Sequence, residues 1–116
     1  MSQHFAVIRP ANRAYRVFFR DELLVETSDV LELEEHFGDK TYPVVCYFAK
    51  RATEGLLGET NAHHSHCPIK GQASYFDFRG VDNAIWTYER PVPGVAQITD
   101  HIAFDTAKGF RIEAVA

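Results

Sequence analysis

A chain of 116 residues with a net charge of −4 is long enough for one hydrophobic core and too short for two independent ones. Its acidic balance works against long-range attraction to nucleic acid, and no apolar run approaches the roughly eighteen residues of a membrane-spanning helix, so neither nucleic acid nor membrane is an expected partner. Nine Phe, five Tyr and one Trp suit packed sheets, and a core of that kind needs no metal or disulfide staple.

The charges are segregated along the chain. The first twenty residues carry Arg9, Arg13, Arg16 and Arg20 and no acid. The next twenty carry eight acids, from Asp21 to Asp39, against Lys40 alone. Two such segments are expected to lie side by side and partly neutralise each other. The arginine spacing alone resembles a helical stripe, but Pro10 and the alternation around it favour a solvated strand edge. Residues 15–20 read as a strand with Tyr15, Val17 and Phe19 on one face, and Asp21-Glu22 as the turn into a second strand over 23–27. Residues 30–38 fit either a short helix opened by Ser28 and stopped by Gly38 or a strand, and the period of two in the neighbouring segments favours strand.

Pro43 introduces Val44-Val45-Cys46-Tyr47-Phe48, an apolar run expected to be a central strand buried on both faces, with Cys46 a small buried hydrophobe. Residues 49–72 read as a long connection with at most a helical turn near 53–57, and a connection of that length points to function. Residues 73–79 and 83–89 are the clearest strands, joined through Gly80-Val81-Asp82 as a hairpin. A helical turn over 94–98, a strand over 102–104 and another over 110–115 complete an all-β, single-domain reading of residues 1–116, a barrel-like set of short twisted sheets.

The chemistry concentrates in His63-His64-Ser65-His66-Cys67-Pro68-Ile69-Lys70-Gly71. Lys70 beside Gly71, after a proline-shaped turn, presents an ammonium and a backbone N–H to one anion, with Arg51 and Lys50 adding charge at the same end of the sheet. His64 and His66, completed by Cys67 or His101, would offer imidazole and thiolate to zinc, although their spacing matches no standard zinc pattern. Cys67 is a candidate nucleophile if a histidine reaches it, but the side chains of sequence neighbours in an extended segment point apart. Trp86 and Tyr88 share a strand face that Tyr75 joins from the paired strand; with Asn83 they form either the wall of a pocket or hydrophobic core. Asp77 and Asp82 flank the hairpin turn, and nothing singles them out as a metal pair. The chain has no phosphate-binding glycine loop, dinucleotide fingerprint or Gly-x-Ser-x-Gly elbow.

The order Tyr47-Phe48, then His66-Cys67-Pro68-Ile69-Lys70-Gly71-Gln72-Ala73-Ser74-Tyr75, then Asn83-Ala84-Ile85-Trp86-Thr87-Tyr88-Glu89-Arg90-Pro91 and Ile102-Ala103-Phe104 resembles the bacterial domain-of-unknown-function family 427, which carries a nucleotidyltransferase-like label. The resemblance implies a compact β fold of small coiled sheets, similar in shape to the Mss4-like group. That group often holds zinc through paired Cys-x-x-Cys motifs, and this chain has none. On the label's chemistry, Lys70 would be the residue to carry a nucleotidyl adduct.

The expected function is binding of a small anionic ligand, a nucleotide or other phosphate-bearing molecule, by Arg51, His66, Cys67, Lys70, Gly71, Tyr75, Asn83, Trp86 and Tyr88. Whether catalysis follows is left open, with Cys67, His66 and Lys70 the candidates for it. Lys70→Ala is expected to abolish binding and leave the melting temperature nearly unchanged. The alternatives are a protein-interaction module without a catalytic site, and a metal-assisted hydrolase or transferase built on His64, His66, Cys67 and His101. No cofactor is expected, zinc being the metal such a loop would take. Two cysteines in unlike settings argue against a disulfide, and Met1-Ser2-Gln3-His4-Phe5 lacks the basic-then-apolar plan of a secretion signal, so the expected compartment is the cytoplasm. Oligomeric state is not legible.

Overall fold

The computed structural model describes residues 3–116, so the part of the N-terminal reading that rests on Met1 and Ser2 lies outside the described residues. The described residues are mostly strand, with only isolated 3-10 turns among them at Lys50–Thr53, Pro93–Ile98 and Thr106–Lys108, and the all-β expectation holds. The strands are β1 (His4–Pro10), β2 (Tyr15–Phe19), β3 (Glu22–Thr27), β4 (Val30–Phe37), β5 (Lys40–Thr41), β6 (Val45–Ala49), β7 (His64–Cys67), β8 (Gly71–Phe78), β9 (Val81–Thr87), β10 (His101–Phe104) and β11 (Phe110–Ala114). Antiparallel pairing orders the larger sheet β1-β4-β6-β10-β9-β8-β7, with β5 on β4, and the smaller one β11-β2-β3. The larger sheet curls into a half-barrel.

Local chemistry explains the first hairpin. Tyr15, Val17 and Phe19 are buried, as the alternation requires, and Arg16 lies outside. The turn is Arg20-Asp21, with φ of 47° and 70°, and Glu22 pairs with Phe19. Two successive left-handed residues match the twist of the flanking strands, which places the turn one residue earlier than the sequence suggests. The second hairpin turns at Arg79-Gly80 on the same principle, with Phe78 opposite Val81, so Val81 and Asp82, expected in the turn, already belong to β9.

Residues 30–37 are the strand β4, flanked by β1 and β6. Their ambiguous pattern has a physical cause: both faces of β4 are partly covered, so apolar residues fall on each. The Val45–Ala49 strand sits between β4 and β10, as the apolar run predicts. Phe48 and Cys46 face the smaller sheet and join a core with Val17, Phe19, Ile102 and Phe104. Tyr47 and Val45 face the other way, into a second core with Leu33, Ala103, Val95 and Ile98 under the Pro93–Ile98 segment.

The two charged segments do meet. Arg9 and Arg13 converge on Glu32, at 3.1 and 3.7 Å, and Arg16 pairs with Glu26 at 2.5 Å. The long connection is shorter than expected, because His64–Cys67 is a strand paired to β8. An edge strand with its polar face in water has no hydrophobic period for a sequence reading to find. Among the described residues, no helix is long and apolar enough to cross a membrane.

Candidate functional site

Lys70 occupies the turn between β7 and β8. Its N–H donates to the Cys67 carbonyl (3.2 Å) and its carbonyl accepts from the Val92 N–H (3.0 Å). Gly71 follows with φ +111°, and a Cβ there would stand 3.3 Å from the Arg90 carbonyl oxygen. The turn is thus pressed against residues 90–92, which aim the lysine across the second core. Its ammonium lies 3.1 Å from Glu35 Oε1 and 6.0 Å from the centre of the Tyr88 ring, with only 12% of the side chain exposed.

Glu35 belongs to β4, on the opposite side of the curl, and its other oxygen accepts from His4 Nε2 at 2.7 Å. The ion pair therefore joins the last strands of the half-barrel to the first. Around it stand aromatic groups. Tyr47 is 1% exposed and its hydroxyl accepts from Trp86 Nε1 at 3.3 Å. Tyr75 is directly opposite Trp86 in the β8–β9 register, and its hydroxyl is 2.6 Å from Ser65 Oγ. Tyr88 is buried, and Cys67 packs against the same core.

Burial works to lower the Lys70 pKa, but Tyr47 and Glu35 outweigh it and the ammonium titrates above the ordinary lysine value. Tyr47 exerts that pull only as a phenolate, and burial holds its own pKa above the ordinary tyrosine value, so at neutral pH Glu35 is the partner that counts. Burial likewise pushes Glu35 up, yet its hydrogen bonds to His4 and Lys70 prevail and the carboxyl titrates below its usual range. Burial pushes Tyr88 far up. The site at neutral pH is a charged ammonium and carboxylate among neutral phenols.

The pair's contribution to stability has a sign at each end of the pH scale. Glu35's share is complete above the ordinary glutamate pKa and disappears as pH falls through its depressed value. Lys70's share is complete below the ordinary lysine pKa and disappears as pH rises through its raised value. Lys70→Met should lower the melting temperature by roughly 4–8 °C, for about 1–2 kcal/mol from a partly exposed pair. Measured against pH, that difference should be flat between about 5 and 10 and shrink below about 4. A difference that persists undiminished at pH 3 would remove the ion pair as its cause. The thermal silence expected of Lys70 from sequence thus gives way to an expected loss, because its ammonium is paired with Glu35.

Several expected site residues lie elsewhere. Arg51 pairs with Asp29 (Nε to Oδ2, 2.6 Å), six positions before Glu35 on the chain and about 20 Å away at strand rise. It lines a separate cleft of about 400 Å³ with Lys50, Glu54, Asp100 and His101, where three carboxylates face two permanent cations. Asn83 has φ +52°, accepts from Asn61 through its side chain and donates its N–H to Asp77, so it shapes the hairpin. Asp77 is committed to the same turn. Gly71 serves by shape.

The histidine loop does not assemble a ligand set. On β7 the period of two puts His64 and His66 on one face and Cys67 on the other, with Ser65, Tyr75 and the second core. His64 Nδ1 lies 3.3 Å from the Ala73 carbonyl, and His101 Nδ1 donates to the Thr99 carbonyl (2.8 Å) three strands away. Among the described residues, no three His, Cys, Asp or Glu side chains converge where a metal ion would sit. His66 likewise faces away from Cys67 and is no base for it.

The structure thus keeps Lys70, Cys67, Tyr75, Trp86 and Tyr88 together and adds Tyr47, Glu35 and His4. Tyr47 carried one signal, a phenol in an otherwise apolar strand. Glu35 and His4 carried none, since their meeting depends on the β1–β4 register and on the curl.

The family model described as Domain of unknown function (DUF427) matches residues 7–115. No curated protein matches the chain.

Proposed function

Since the chain belongs to the family described as Domain of unknown function (DUF427), a description that names no reaction, we propose its function from the Lys70 site: binding of a small anionic ligand with a planar organic part, such as a nucleotide. The observation that carries this reading is the handover built into the pair. Glu35 keeps His4 at 2.7 Å, so Lys70 can turn to a ligand's phosphate or carboxylate without leaving a part-buried carboxylate unpaired. The low exposure of the ammonium strengthens such a contact relative to one in bulk water. Trp86 and Tyr75, both part-buried and side by side, offer faces for a planar ring. An ammonium held above its ordinary pKa is a poor nucleophile, which favours binding over a nucleotidyl adduct at Lys70.

Trp86 is the chain's single tryptophan and reports directly on this site. Titration with AMP at low salt should change its emission in a saturable way. Adenosine should bind about tenfold more weakly or worse, and so should AMP to Lys70→Met, as expected for loss of a charged hydrogen bond. Added salt should weaken AMP and not adenosine. Equal binding of AMP and adenosine, undiminished AMP binding by Lys70→Met, or no saturable response to AMP, inorganic phosphate and benzoate would each sink the proposal.

A further inference from the structure

The half-barrel has an opening between β6 and β10. The register there runs His101 with Ala49 and Ile102 with Phe48, and stops. The alternation of the ladder says which main-chain groups face the opening. The Ala49 N–H donates towards β4, to the Asp29 carbonyl (3.1 Å), and the Lys50 N–H donates towards β10, to the Asp100 carbonyl (2.9 Å). The N–H and carbonyl of Phe48 and Cys46 therefore face β10. On β10 the Asp105 N–H donates to Ala84 of the β9 side (2.9 Å), so the main-chain groups of Ile102 and Phe104 face β6. Ile102 meets Phe48. The next rung, Phe104 with Cys46, is absent, because β10 leaves β6 there and continues only along β9.

Into that opening runs a cleft of about 390 Å³, walled by Tyr15, Val45, Trp86, Phe104 and Ile112, with Asp105 beside Thr106, the latter at its exposed mouth. The volume lies in the range of small-molecule sites. Main-chain donors and acceptors that face a cleft take water or a ligand as partners, and the apolar walls favour a ligand that also covers them. A ligand that completes an antiparallel rung must present an N–H and a carbonyl together, with an apolar group to lie along the walls.

We propose that the cleft between β6 and β10 binds a secondary amide carrying an apolar substituent, the amide taking the place of the missing rung between Cys46 and Phe104. A small acylated amine and the end of a peptide share that chemistry. The site is independent of the anion contact, which lies on Lys70, although Trp86 borders both.

The test uses Trp86 emission with N-butylacetamide, its N-methylated tertiary amide, butyl acetate and acetyl-valyl-leucinamide. The secondary amide should saturate, and the tertiary amide and the ester, which lack the donor, should bind about tenfold more weakly or worse. Thr106→Phe, an exposed position at the mouth, should weaken the secondary amide by about the same factor and leave AMP titration unchanged. The dipeptide binding more tightly than N-butylacetamide assigns the site to peptide ends, and the reverse order assigns it to small amides; both orders uphold the rung. Equal binding by amide, tertiary amide and ester, no saturable response to any of them, or indifference to Thr106→Phe would overturn it.

Discussion

Gly71→Val is expected to destabilise the protein by about 3 kcal/mol, a fall in melting temperature of roughly 12 °C. Two costs combine. A φ of +111° lies beyond the left-handed region that even asparagine visits readily, and a β-branched side chain tolerates it worst. The new Cβ would also stand 3.3 Å from the Arg90 carbonyl oxygen, a main-chain atom held by its neighbours and by the Val92–Lys70 hydrogen bond. Relief requires the turn to lift from residues 90–92, which carries Lys70 away from Glu35. Gly58→Val is the control, because no atom lies within 4 Å of a Cβ there and its φ is outside the positive range. It should stay within about 0.5 kcal/mol of the parent. Thermal melts of the two variants decide the matter, and equal losses would show that Gly71 is not a constrained position.

Glu32→Ala should cost about 2–3 kcal/mol. Glu32 is 4% exposed and is the buried acid on which three donors converge. Tyr15 donates its hydroxyl at 2.5 Å, Arg9 donates Nε at 3.1 Å, and Arg13 stands at 3.7 Å. The arginines are about half exposed and regain water when the carboxylate goes. Tyr15 is 9% exposed and regains far less, so its hydroxyl loses its carboxylate partner beside a new cavity. The Tyr15 hydrogen bond, helped by the arginines against burial, holds the Glu32 carboxyl below its usual range. Its stabilisation is therefore present above the ordinary glutamate pKa and lost as pH falls through the depressed value. Denaturant unfolding at pH 7 and pH 3 should show a smaller deficit of Glu32→Ala at the second, where the cavity's share remains and the charge's share declines. Glu32→Gln, which keeps the volume, should fall between parent and alanine. A deficit independent of pH would assign the effect to packing alone.

Both positions show how unevenly function and structure are written into this chain. Gly71 announces itself beside Lys70 in a reactive stretch, and its local meaning, a turn, is legible from Pro68 and Gly71 together. Glu32 is one acid among eight in an acidic segment, and nothing local separates it from Glu34 or Asp39. What selects it is the β1–β4 register, which sets Arg9 opposite Glu32, and its place above Tyr15 of the other sheet.

The same division runs through the candidate site. Tyr75, Trp86 and Tyr88 were readable as one face because a hairpin joins neighbours in sequence and the period of two does the rest. Lys70 was readable as the cation of a polar stretch. Pairing with an acid was one of the readings open to it, but which acid was not legible, because Glu35 lies far away in sequence. Arg51 looked equivalent to Lys70 by sequence and sits at the other end of β4. The histidines looked like a cluster. His64 and His66 do share a face, but the same period of two sends Cys67 to the other, and His101 lies three strands away, so no ligand set assembles.

From its sequence alone the chain determines that it is β-rich, which neighbouring segments pair as hairpins, which central run is buried on both faces, that its basic and acidic segments will meet, and the family to which it belongs. These are consequences of composition, side-chain period and turn chemistry, which act over a few residues. Only the tertiary structure decides that Glu35 and His4 close on Lys70, that Glu32 rather than another acid is buried, that His64–Cys67 is an edge strand, and that β10 parts from β6 to leave a rung unmade. Those outcomes depend on strand order and on the curl of the sheet. Antiparallel pairing joins residues far apart in sequence through main-chain groups that every residue carries alike, so the choice of partner is set by which faces and edges remain to be covered once the whole sheet is assembled.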